Sequence, residues 1–143
     1  MPIKTEIPEL KEKPKEGVEE PKEVVERFAK LALHYSDNAS LFLKQKEFHK
    51  AGEMMWGAMA SILKAVAAKK GKKVEGHSQL FSFAAKLSKN LDDKQIYMAF
   101  LEASNLHKNF YESDITETEL RLQIKSIAKI VGKLLEQLGY RAR

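Results

Sequence analysis

The strongest pattern in the chain is a run that is apolar almost all the way round. Residues 54–68 are interrupted only by Ser61 and Lys64, within the stretch 51–70 that reads AGEMMWGAMASILKAVAAKK. A helix hydrophobic on every side has to be covered on every side. The run therefore predicts a central helix, with the other segments as its wrapping. It is shorter than the roughly 18–20 apolar residues of a membrane span, so no membrane partner is expected.

The flanking segments supply that wrapping. Val25, Phe28, Ala32, Tyr35, Ala39 and Phe42 alternate three and four apart, a helical stripe that Pro21 can open as a first-turn proline. The polar patch Ser36, Asp37 and Asn38 weakens helix propensity midway but does not break the phase. This helix should end near 45–47, and a tight connection around 47–49 predicts an antiparallel hairpin with the central helix. Gly71 stops the central helix, with Lys69 and Lys70 in its last turn. A basic loop, 71–76, follows. His77 or Ser78 can open a third helix with Leu80, Phe81, Ala84 and Leu87 inside, ending near Asn90.

A fourth helix is predicted over roughly 92–112. Its apolar face is Ile96, Ala99, Phe100, Ala103, Leu106 and Phe110, with a polar row of Glu102, Asn105, Asn109 and Glu112 on another face. Thr116-x-x-Glu119 is a capping box for a fifth helix striped by Leu120, Ile124, Ile127, Val131, Leu134 and Leu138, with Gly139 just past its end. Proline is absent from 23–143, and no alternating strand pattern or internal repeat is evident. The prediction is one all-α domain over 23–143, an antiparallel up-and-down bundle of about five helices. All four prolines lie in 1–22, mixed with five lysines and six glutamates, which reads as a flexible tail.

Composition changes this picture little. The 143 residues carry a formal net charge of +5, and the basic excess belongs to the body. It permits an anionic partner such as RNA, DNA or a nucleotide, and equally fits a solvated surface. Cysteine is absent, which excludes disulfides and thiol chemistry and fits a reducing cytoplasm. No apolar run follows the first basic residue, so a secretory signal is not expected. A charge-rich, cysteine-free body is compatible with a thermophile's protein.

Few residues suggest chemistry. None of the four histidines, His34, His49, His77 and His107, has a glutamate three residues before it, and the i, i+4 pair His49 and Glu53 falls short of a metal site. Neither a metal nor a cofactor is expected, and no His-Glu-x-x-His, P-loop or dinucleotide fingerprint occurs. His107 shares a helical face with Phe100, Ala103 and Tyr111. It is a candidate general acid or base for RNA cleavage, or a partly buried histidine bonded to a neighbour or to a second copy. Trp56 beside Gly57 reads as a large side chain next to a small one that lets another helix approach; a base-stacking platform is the alternative. Lys69, Lys70, Lys72 and Lys73 are candidate phosphate contacts, or a solvated helix end. Arg121, Lys125, Lys129, Lys133, Arg141 and Arg143 carry the same two readings.

Three pieces of sequence then occur together in order. They are Glu53-x-x-Trp56-Gly57-Ala58 through Lys64-Ala65, the loop histidine His77 followed by Leu80, and Leu106-His107-Lys108-Asn109-Phe110-Tyr111-Glu112. Together they resemble the archaeal PaREP-type family of HEPN-like (higher eukaryotes and prokaryotes nucleotide-binding) proteins. The resemblance implies a helical bundle, commonly dimeric, in nucleotide or RNA biology, with a nucleotidyltransferase-like protein as a possible partner in a toxin–antitoxin or defence system. HEPN ribonucleases use an arginine, then a polar residue, with a histidine four to six residues beyond the arginine. No arginine precedes His107 at that spacing: Glu102 stands five residues before it and Asn105 two, and the pair Arg27 and His34 lies on helix one with Phe28 after the arginine. The expected function is thus a non-catalytic RNA- or nucleotide-associated module. The alternatives are a metal-independent ribonuclease whose site forms across a homodimer from His107, Asn105, Asn109 and Glu102, or a structural protein-partner module.

Overall fold

The computed structural model describes residues 20–112 and 114–141. These form α1 (Pro21–Lys44), α2 (Phe48–Lys69), α3 (Gly76–Asn90), α4 (Lys94–Lys108) and α5 (Glu117–Gln137). The tail expected over 1–22 lies outside the described residues except for its last three. Of these, Glu20 caps α1, and Pro21 and Lys22 open it.

Local chemistry starts most of these helices where the sequence says. Glu20 and Glu23 form a reciprocal capping box on α1. The Asp93 carboxylate accepts from the Gln95 N–H at 2.9 Å to open α4. On α5, the Glu119 N–H donates to Thr116 Oγ1 at 3.1 Å and the Thr116 N–H donates back to Glu119 Oε1 at 3.0 Å. Each contact satisfies an N–H left without a helical partner.

Four of the five helices end in one way. Lys46, Gly71, Asp92 and Gly139 adopt positive φ. The residue after each donates its N–H back into the last turn: Glu47 to Phe42, Lys72 to Ala67, Asp93 to Ser88 and Tyr140 to Leu135, at 2.8–2.9 Å. This is the Schellman arrangement, which uses up orphan carbonyls. α4 departs from the others and also from the sequence expectation, stopping at Lys108 rather than near 112. Asn109, a weak helix former, begins the departure, and Phe110 and Tyr111 turn onto the His49 ring at centroid distances of 5.1 and 4.8 Å.

α2 is the central helix. It packs against each of the other four, and twelve of its residues, from Ala51 to Ala68, are buried. α1 pairs with it in antiparallel register. Phe42 lies under Lys50 Nζ at 5.5 Å, Tyr35 lies against Gly57, and Phe28 lies under Lys64 Nζ at 5.6 Å, so each step of seven residues down α1 matches seven up α2. A seven-residue repeat keeps one seam facing the partner helix. The polar patch on α1 is absorbed without a break: Asn38 is buried and donates to the His34 carbonyl at 3.0 Å.

α4 runs antiparallel to α2, with Leu106 against Gly52 and Phe100 against Trp56. α3 runs antiparallel to α4, with His77 at Ser104 and Ser88 at Asp93. α3 therefore points the same way as α2, and the basic loop between them crosses back along the bundle. α5 closes the other side. Arg121 reaches the Leu43 carbonyl and the Phe48 ring at one end, and Lys133 pairs with Asp93 at the other. On α3, Phe83 takes a core place and Phe81 stays half-buried, freeing Phe81 for the cluster described next.

Candidate functional site

Trp56 gathers the chemistry-bearing residues. On α2, His49, Glu53 and Trp56 stand four and three apart and share a face. The His77 ring, from the first turn of α3, stacks on the indole at 4.9 Å and 19°. The His107 ring, from the last turn of α4, stacks on it at 5.2 Å and 9°. Phe100 tilts against Trp56 at 5.7 Å, and Phe81 meets Phe100 edge-on at 4.8 Å.

Polar contacts fix these rings. His107 Nδ1 lies 3.0 and 3.1 Å from the two Glu53 oxygens. Glu53 also faces His49 Nε2 at 3.6 Å. His77 Nε2 is 3.1 Å from Ser104 Oγ. Burial pushes the His77 imidazole below its ordinary value, and the nearby charges of Lys108 and His107 push it the same way. A carboxylate can only accept, so in this contact the hydrogen sits on His107 Nδ1. Among the described residues, no group of three or more His, Cys, Asp or Glu is placed to hold a metal ion.

The structure sorts the sequence candidates into separate places. His107 is exposed and joined to Glu53, not to the polar row. Asn105 and Asn109 pair with each other, the Asn109 amide donating at 2.9 Å. Glu102, Asn105 and Asn109 lie well round the helix from His107. Glu102 is half-buried, and burial pushes its carboxyl up. Gly57 does allow a close approach, by Tyr35.

The basic loop makes a second site. Lys72, Lys73 and Val74, crossing back beside α3, enclose an open groove of about 420 Å³ with Ser78, Gln79, Ser82, Phe83 and Lys86. Lys73 also pairs with Glu75 at 3.2 Å. Lys69 and Lys70 are exposed at the end of α2 and do not line this groove.

Sequence reasoning missed Glu53 as the partner of His107, Ser104 as that of His77, and Lys86 as the third lysine of the groove. The i, i+4, i+7 spacing of His49, Glu53 and Trp56 was the available signal, since it puts all three on one helical face.

No helix among the described residues is long and apolar enough to cross a membrane. Neither a curated protein nor a solved structure matches the chain. The model of the archaeal PaREP1/PaREP8 family does match, over residues 27–131, a span from α1 well into α5 that includes the Trp56 cluster and the basic groove, and the chain belongs to that family.

Proposed function

We propose that the protein is an RNA- or nucleotide-associated binding module that holds phosphate in the groove of Lys72, Lys73 and Lys86. The observation that supports this reading is the convergence of three lysines with Ser78, Gln79 and Ser82 on one groove. Ammonium groups supply charge to a phosphate, and hydroxyl and amide groups supply directional hydrogen bonds. The open groove suits a backbone or terminal phosphate. The resemblance to HEPN-like proteins supplies a setting, a toxin–antitoxin or defence system with a nucleotidyltransferase-like partner.

Binding of labelled single-stranded RNA and of ATP, followed by anisotropy and calorimetry across a salt titration, tests this. Affinity should fall steeply with salt. The triple variant Lys72→Glu, Lys73→Glu, Lys86→Glu should lose it, while Lys69→Glu, Lys70→Glu weakens it less. Absence of binding at low ionic strength would sink the proposal.

The contact between Glu53 and His107 favours a second reading, a metal-independent ribonuclease with His107 as its base. In that case Asn105, Asn109 and Glu102 act from a second copy. RNA cleavage in excess chelator that disappears in His107→Ala would support it; an unchanged RNA pool would remove it.

A further inference from the structure

Helix α3 separates two surfaces. One flank, with Ser78, Ser82 and Lys86, faces the groove bordered by Lys72, Lys73 and Val74. The other flank carries His77 and Phe81 and faces α4. There His77 Nε2 lies 3.1 Å from Ser104 Oγ, and Phe81 meets Phe100 edge-on at 4.8 Å. The ridge between the flanks is low. Ser78, Ser82 and Ala85 stand four and three apart on one strip of the helix, and all three are exposed. A chain crossing there meets only small side chains.

The ring flank is also cationic. Lys108 Nζ lies 5.9 Å from the centroid of the half-buried Phe81 ring. Two acidic side chains beside these surfaces are already engaged, Glu53 with His107 and Glu75 with Lys73. Past the end of α4, Tyr111 is 81% exposed, with its ring 4.8 Å from that of His49. So exposed a ring contributes little to the core and is open to a ligand.

We propose that the groove binds a single-stranded nucleic acid that crosses α3 over Ser78, Ser82 and Ala85, with its phosphates at Lys72, Lys73 and Lys86, one base on Phe81 beside Lys108 and a further base on Tyr111. This rests on the phosphate reading of the groove and names its ligand class. A helix with its side chains is about 10–12 Å across, more than one nucleoside monophosphate spans, so successive nucleotides of a strand reach the two flanks. A duplex cannot use the rings, because its bases are already paired and stacked. Every base has a π-face, so rings beside a basic groove take a strand with little regard to sequence. Lys108 can move from Phe81 to a phosphate, exchanging an exposed cation–π contact for a charge-assisted hydrogen bond.

Anisotropy of labelled oligo(U) and of a duplex of equal length, with competition by inorganic tripolyphosphate and by ATP, tests this at low ionic strength. Wild type should bind oligo(U) roughly tenfold tighter than the duplex. The double variant Phe81→Leu, Tyr111→Ser should lose roughly tenfold or more in oligo(U) affinity and bind tripolyphosphate as wild type does. Leucine keeps much of the packing of Phe81 and Tyr111 is exposed, and far-UV circular dichroism confirms that the variant is folded. Equal affinity for strand and duplex, or wild-type oligo(U) affinity in the double variant, would overturn the strand proposal, while salt-sensitive tripolyphosphate binding would leave the groove reading standing. ATP binding as tightly as oligo(U) would overturn it in favour of a nucleotide. Silence in every arm would remove the groove reading and this inference with it.

Discussion

The ring of Tyr35 lies against the bare backbone of Gly57, so close that a Cβ there would meet two ring carbons at 3.1 Å. This contact sits at the middle of the α1–α2 seam. It lets the two longest helices approach where α2 carries Trp56 on an adjacent position, and so helps fix the indole that both histidines stack on.

Gly57→Ala should therefore be destabilising although alanine is the better helix former. Overpacking at this seam costs typically 1–3 kcal/mol, against about 1 kcal/mol gained from helix propensity. Urea unfolding should show a net loss of about 1 kcal/mol. In a Tyr35→Ala background the same change should become stabilising, because the clash is gone and the propensity gain remains. Gly52 is the control. Its added Cβ would meet Leu106 at 3.4 Å, near ordinary contact, and Gly52→Ala should be neutral or stabilising.

Asp93 performs three tasks at the α3–α4 corner. Its side chain caps α4, its carboxylate pairs with Lys133 of α5, and its carbonyl accepts from Ser88 Oγ at 2.6 Å. The hydrogen bond from Lys133 holds the carboxyl below its ordinary value, helped by the Gln95 N–H and opposed by partial burial. A carboxyl lowered by folding stabilises the protein above its ordinary titration range, and that contribution is lost as pH falls through the lowered value. Asp93→Ala should cost about 1–2 kcal/mol at neutral pH from the cap alone. Asp93→Asn should keep most of the cap and lose the Lys133 pairing. Both variants should show a flatter stability profile than wild type below about pH 4.

His77 is shifted in the same direction as Asp93, and its contribution is likewise lost as pH falls, but through a basic group. Folding lowers its proton affinity, chiefly by burial and then through Lys108 and His107. The unfolded chain therefore takes up the proton first as pH falls. Stability from neutral His77 is fully present above the ordinary histidine range and is lost as pH drops below about 6.5. The melting temperature should decline between pH 7 and pH 5, and His77→Asn should reduce that decline. An identical pH profile in the variant would show that the loss arises elsewhere.

The outward face of α4 is the surface we propose for pairing two copies. Met98 is 51% exposed and Leu101 36% exposed, and Glu102 lies on the same face with its carboxyl already pushed up by burial. Light scattering at rising concentration should report a dimer for wild type and a monomer for Met98→Glu. A wild-type monomer at all concentrations would remove the proposal.

The sequence by itself determined what is local. The all-round apolar run made α2 central, because such a helix cannot be left uncovered. The Thr116–Glu119 box and the glycines at 71 and 139 set helix ends, because capping acts within a few residues of chain. The stripe on α1 predicted its seam, and small Gly57 beside large Trp56 predicted a close approach. Only the tertiary structure decided what depends on distance through space. Glu53 and His107 stand 54 positions apart, and no spacing rule joins them. Lys86 enters the basic groove only because the loop turns back along α3, which in turn makes α2 and α3 run the same way. α4 stops at Lys108 because Phe110 and Tyr111 find the His49 ring, a partner that helical periodicity cannot see. The sequence thus specified the helices and their buried faces through short-range physics, while the juxtaposition of Glu53, Trp56, His77 and His107 arose only when three helices packed together.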